Sequence, residues 1–248
     1  MAESADILTS DAQQVILPDL AAGCSMADMA AINQVEDAWD TLADLGIAAR
    51  TVPVTYMNSA AAIKAFTRRH GGTVCTSSNA ATALRWAFDK VGGAGGTGKV
   101  LFMPDQHLGR NTAVRELGLS LADCVVFDPC QPNGGLVPAE LEAARMILWR
   151  GHCSVHGRFS VRDVGDIRAA VPGVTVLAAL PGHTRTSAHH LDSTVCFCST
   201  MNRIDLPHLV WAMESLVARR TVNRVVVDSG DAHWARVALA QMLALPGH

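Results

Sequence analysis

Residues 51–90 read TVPVTYMNSAAAIKAFTRRHGGTVCTSSNAATALRWAFDK. The stretch opens with a short apolar run rich in β-branched residues, 51–57, which predicts a buried strand. Residues 59–69 carry apolar side chains at three- and four-residue spacing and predict a helix. A second strand is expected over 73–76. Ser78 and Asn79 then offer capping chemistry for a helix that runs through Lys90. Strand, helix, strand, helix in forty residues is the signature of a parallel sheet covered by helices.

The same alternation extends in both directions. Residues 14–18 (QVILP) read as a buried strand. Met29, Ile32, Val35, Trp39, Leu42 and Leu45 form one face of a helix that Gly46 ends. Strands are expected at 99–104, 123–127 and 146–149, then a helix near 161–170 and a strand at 174–180. A helix near 205–219, a strand at 223–228 and a last helix from about Ala232 to Leu245 complete the chain. The stretch from Leu180 to His190 fits neither period. The fold class is α/β.

Composition narrows the function. The 248 residues are 49% hydrophobic and 17% charged, with a net charge of −3. That is enough apolar material for a large core or two to three small lobes. Without a run of like charge, bulk nucleic-acid or anionic-membrane binding is disfavoured. Aromatic residues at 5% argue against base-stacking platforms. No stretch is long and apolar enough to span a membrane, and the first residues lack a secretory pattern. Seven cysteines, odd in number and widely spaced, suit a reducing cytoplasm.

Ligands of parallel α/β folds bind beyond the carboxyl ends of the strands. The polar motifs fall there: Gly23–Ser25, Tyr56–Ser59, Thr76–Asn79, Asp105–Asn111, Gly151–His156 and Cys198–Asn202. Cys24, Cys153 and Cys198 each follow an apolar run and precede a helix-like stretch. Three thiolates brought to one point can hold an iron–sulfur cube and leave one iron open. Each could equally be a small buried residue. Cys75, Cys124, Cys130 and Cys196 lie in strand or turn contexts and read as core or surface thiols. Tyr56 and Asn58 are two apart at a strand end, so both can face one pocket; helix capping is the alternative for Asn58 and Ser59. Thr76 to Asn79 form a hydroxyl-rich helix start that suits a phosphate or carboxylate, or plain capping.

Other motifs are weaker. Gly93 to Lys99 match G-x-x-x-x-G-K, but Val100 replaces the magnesium-binding hydroxyl and the run follows a helix instead of a strand. It reads as a helix C-cap loop. His107 and His156 are pocket or packing candidates. No H-E-x-x-H, G-x-S-x-G or C-x-x-C pattern is present, which removes zinc-hydrolase, serine-hydrolase and thioredoxin readings.

Taken in order, PDLAAGCSMAD, VTYMNSAAAIKA, CTSSNA, PDQHLGRN, WRGHCSVHGRF and CFCSTMN resemble the quinolinate synthase family in its actinobacterial form. The resemblance implies three-layer αβα lobes with short parallel sheets in pseudo-threefold arrangement around a central [4Fe-4S] cluster. It implies Cys24, Cys153 and Cys198 as cluster ligands, and Tyr56, Asn58 and Ser77 as substrate contacts, with Tyr56 a catalytic acid/base or an orienting hydrogen bond. The implied reaction condenses iminosuccinate (iminoaspartate) with dihydroxyacetone phosphate to quinolinate, losing phosphate and water, in NAD biosynthesis in the cytoplasm. L-aspartate oxidase would be the upstream supplier.

The chain departs from the family pattern in two places. It starts at MAESADIL, without the family's histidine- and tyrosine-bearing opening strand. It also lacks the His-Pro-Glu motif and the Gly-Ser-Thr turn, where VTVLA runs into ALPGHTRTSAHHLDSTVCFC. First and third lobes are therefore expected to be incomplete: 1–28 with 199–248 as the first, 29–154 as the second, 155–198 as the third. Impaired or absent turnover is the expected consequence. The competing readings are a catalytically silent αβα remnant that binds a small molecule or a protein, and a generic metal-free binder.

Overall fold

The computed structural model describes residues 1–93, 96–153, 161–175, 177–178, 193–194 and 204–246. Helices α1 (Ala2–Leu8), α2 (Ser25–Asp28) and α3 (Ile32–Asp44) precede the first strand. Gly46 ends α3 at φ 69°, and Ile47 N–H donates back to the Leu42 carbonyl at 2.8 Å. That left-handed residue satisfies the last turn and redirects the chain. There follow β1 (Thr51–Tyr56), α4 (Ala61–Arg69), β2 (Thr73–Cys75), α5 (Ala80–Lys90), β3 (Lys99–Met103), α6 (Gln106–Glu116), β4 (Cys124–Phe127), α7 (Pro138–Ala143) and β5 (Met146–Trp149). Beyond them lie α8 (Val161–Ala170), β6 (Leu177–Ala178), β7 (Ser193–Thr194), α9 (Leu206–Val217) and α10 (Ser229–Leu243).

The five long strands form one parallel sheet in the order β2-β1-β3-β5-β4. Side chains alternate between its faces. Val54, Tyr56, Val100, Phe102, Met146 and Leu148 pack on one side with Ala83, Leu84 and Phe88 of α5 and Leu108 of α6. Leu101, Met103, Ile147 and Trp149 pack on the other with Val35 and Leu42 of α3 and Ile63 and Phe66 of α4. Sheet between two helix layers is the αβα lobe that the alternation predicts. Helix α10 adds a third cluster, where Ala235, Ala238 and Leu239 meet Ala61, Val74 and Ile7 of α1.

Two predicted strands are absent as such. Residues 14–18 and 223–228 pair with each other through one antiparallel bridge, Ile16 to Arg224, outside the sheet. Val225 N–H donates to the Val15 carbonyl and Leu17 N–H to the Asn223 carbonyl. Pro18 has no N–H to extend the ladder, and Val226 stays 71% exposed. The apolar run there is a local ribbon. Of the strand expected over 174–180, Leu177 and Ala178 form β6, paired parallel with β7; residues 176, 179 and 180 lie outside the described residues.

Candidate functional site

Because the five strands run parallel, the turns after β1, β2, β3 and β5 share one edge of the sheet. The turn after β1 is built by side chains. Ser59 Oγ donates to the Tyr56 carbonyl at 2.9 Å. Lys64 Nζ donates to the Ser59 carbonyl at 2.5 Å and lies 3.5 Å from Ser59 Oγ. Glu3 of α1 accepts from Ala61 N–H, the first residue of α4, at 2.7 Å. After β2, Asn79 holds the N-cap position of α5, but its side chain turns back to accept from Thr76 N–H at 2.7 Å and Thr76 Oγ1 at 3.0 Å. The first-turn amides of α5 thus receive no side-chain cap.

The turns after β3 and β5 are laced together. Gln106 N–H donates to the Gly151 carbonyl at 3.0 Å, and Asp105 bridges to Gly151 in parallel fashion. Asp105, fully buried, caps α6 through His107 and Leu108 N–H. His107 lies 3.2 Å from the Arg110 guanidinium through Nδ1.

Cys24 and Cys153 are tied through Met29. Trp149 Nε1 donates to the Met29 carbonyl at 2.7 Å, and His152 N–H to Met29 Sδ at 3.5 Å. Cys153, 8% exposed, packs in the same apolar cluster as Tyr56 and Met26, with the half-buried Cys24 against it. Beside them is a cavity of about 300 Å³ lined by residues that include Glu3, Cys24, Asp28, Asn58 and Ser59. Of the residues singled out by sequence, Cys24, Cys153 and Tyr56 meet in the cluster, and Cys24 and Asn58 meet in the cavity. Ser77 stands on the same sheet edge, past β2, and does not line the cavity. Cys198 and His156 lie outside the described residues. Among the described residues no group of three His, Cys, Asp or Glu side chains is arranged to hold a metal.

The other described thiols separate chemically. Cys75 is fully buried in β2, and burial pushes its thiol far up. Burial and then the Asp123 carboxylate push Cys124 up to about 11. Both resist the thiolate form a metal needs. Cys130 is exposed in a turn. These three behave as the core and surface thiols that their contexts predict. Lys99 Nζ is taken up by the carbonyls of Glu142 and Ala144, and Gly93 sits at φ 76° after α5, so the described residues of this run lie between a helix end and a strand start.

Sequence reading passed over Lys64. Its side chain has no solvent exposure, and burial pushes its amine down to about 8, with Glu3 opposing the shift. The one available sign was a lone lysine inside the apolar run AAAIKAF.

The family model described as "Quinolinate synthetase A protein" matches residues 1–194. A quinolinate synthase of Nocardioides sp. (strain ATCC BAA-499 / JS614) is 57% identical over 292 positions, covering 100% of this chain and 74% of that protein. That of Streptomyces coelicolor (strain ATCC BAA-471 / A3(2) / M145) is 53% identical over 293, covering 99% and 73%. That of Acidobacterium capsulatum is 45% identical over 295, covering 100% and 77%. The first span, 292 positions for 248 residues, leaves about 44 positions of that relative without a counterpart here. A match of this identity and breadth is decisive: the chain belongs to the quinolinate synthase family.

Proposed function

We propose that the chain forms quinolinate from iminosuccinate and dihydroxyacetone phosphate at the sheet edge that carries Tyr56, Asn58 and Ser77. The observation that carries this reading is the Met29 tie, which holds the Cys24 and Cys153 loops together over a cluster that contains Tyr56. Two thiols at one apolar cluster suit an iron–sulfur cluster, with Cys24, Cys153 and Cys198 as its ligands. When bound, a three-cysteine [4Fe-4S] cluster supplies one iron free to act as a Lewis acid.

The chain's own residues divide the remaining work. Asn58 faces the cavity and can orient a carboxylate. Tyr56, at the end of β1, can donate a phenolic hydrogen bond or carry a proton. Ser77 and the uncapped amides of α5 offer a phosphate its hydrogen bonds and the positive end of a helix dipole. An amino-acid oxidase such as L-aspartate oxidase would supply the imine, in the cytoplasm. In lobe terms, 29–154 is the second lobe, 1–28 with 199–248 belong to the first, and 155–198 to the third. The positions absent relative to the Nocardioides protein favour slow turnover.

Anaerobic reconstitution with iron and sulfide, followed by assay of quinolinate from the two substrates, tests the reading. A brown, cluster-bearing chain that forms quinolinate slowly is the expected result. A folded chain that takes up no iron and forms none would sink it in favour of a silent binding module.

A further inference from the structure

The cavity lining carries carboxylates where a dicarboxylate substrate would need cations. Glu3 and Asp28 line it beside the Cys24 thiol; among the described lining residues the Met1 amino group, which burial pushes toward its neutral form, is the one cation. Glu3 has its carboxylate engaged at the start of α4, through Ala61 N–H. A doubly charged substrate would still meet like charge there.

A side-chain cation lies one layer behind. Lys64 Nζ is bonded to Ser59, and Ser59 lines the cavity next to Asn58. Ser59 Oγ in turn holds the Tyr56 carbonyl. One ammonium therefore fixes the backbone between Tyr56 and Ser59, the turn on which Asn58 is mounted. A buried lysine is costly unless its charge is used, and methionine would fill the same space in this alanine-rich helix without that cost.

We infer that Lys64 is a positioning residue for the dicarboxylate: its ammonium clamps the Tyr56–Ser59 turn and adds, from behind it, positive charge to a cavity whose described side chains are acidic or neutral. The inference rests on the reading of this cavity as the substrate site. Desolvation weakens the ammonium, yet with a pKa of about 8 it keeps most of its charge at neutral pH.

The chain has three lysines, Lys64, Lys90 and Lys99. Labelling lysine with ¹³C at Cε therefore gives few signals to assign. Titration of the folded chain with quinolinate, a pyridine dicarboxylate, is expected to move the Lys64 signal and leave those of Lys90 and Lys99 in place. Lys64→Met should weaken quinolinate binding roughly tenfold, and Lys64→Arg should recover part of the loss. Asn58→Ala probes the cavity independently. If Asn58→Ala weakens binding while Lys64→Met does not and the Lys64 signal stays still, the inference is overturned and the cavity reading stands. If the folded chain binds no quinolinate, or neither substitution weakens it, the cavity reading fails and takes the inference with it. Should Lys64→Met not fold, the signal of the unsubstituted chain decides.

Discussion

The indole Nε1 of Trp149 donates to the backbone carbonyl of Met29 at 2.7 Å, across 120 residues of chain. Trp149 is the last residue of β5 and is fully buried, stacked 6.0 Å from Phe127. Met29 follows α2, whose N-cap is Cys24. The bond thus fastens the Cys24 loop to the sheet element that leads into Cys153.

Trp149→Phe keeps an aromatic ring beside Phe127 and deletes the N–H. The Met29 carbonyl loses its partner, at a cost of about 1–3 kcal/mol. Urea denaturation should show a lower midpoint with an unchanged slope. Cys153 should also react faster with iodoacetamide, because its loop is released. Unchanged stability together with an unchanged alkylation rate would mean that the tie carries no load.

Serine substitutions sort the cysteines by role. Cys24→Ser, Cys153→Ser and Cys198→Ser should each abolish stable iron retention after anaerobic reconstitution. Cys75→Ser places a hydroxyl in a fully buried strand position, so it should lower stability by about 1–3 kcal/mol and leave iron uptake in place. Cys130→Ser, in an exposed turn, should change neither. Iron per folded chain and a melting curve for each variant separate the classes. Iron retained in Cys24→Ser would remove that residue from the ligand set.

Local pattern was enough where burial follows from an element's own residues. The unit β1–α4–β2–α5 is legible because its apolar periods switch cleanly from two to three-and-four, with Gly71 and Gly72 at the turn. Cys75 is readable as core because it lies inside a strand. Legibility ends where a distant segment decides the environment. Helix α4, which carries Lys64, is packed by α10, more than 150 residues away in the chain, and the Lys64 amine lies near Glu3 of α1. The apolar runs 14–18 and 223–228 have strand composition, but among the described residues they pair only with each other. Asn79 sits where a capping residue should, yet its carbonyl oxygen is claimed by Thr76, a competition that composition alone leaves open.

Gly151 has a steric reason to be glycine. A Cβ there would lie 2.1 Å from the Pro104 carbonyl oxygen. This close approach is what allows Asp105 to bridge to Gly151 and Gln106 N–H to reach its carbonyl. Gly151→Ala should push the two turns apart and cost roughly 1–3 kcal/mol. Cys153, two residues on, should become more exposed to alkylating reagents. A neutral effect on both measures would show that the turns can separate without strain.

The last prediction concerns pH. Unfolded, Lys64 holds its proton to about 10.5; folded, burial releases it from about 8. Below about 8 both states carry the proton, and the buried charge is a constant penalty on the fold. Between about 8 and 10.5 the unfolded state binds more protons than the folded one, so this residue makes stability rise with pH. The limiting slope is about 1.4 kcal/mol per pH unit. The charges that act on the amine are the Glu3 carboxylate, which favours the ammonium form, and the Met1 amino group, which opposes it. Lys90 and Lys99 are also lowered by burial, so the comparison must be made against a variant. Lys64→Met should be more stable than the unsubstituted chain at pH 7, where the penalty is full, less the loss of the Ser59 hydrogen bonds. The difference should move in favour of the unsubstituted chain as pH rises from 8 to 10. Urea midpoints for the two proteins across that range measure it. Parallel curves would mean that Lys64 keeps its proton in both states, and that its burial is better compensated than desolvation alone allows.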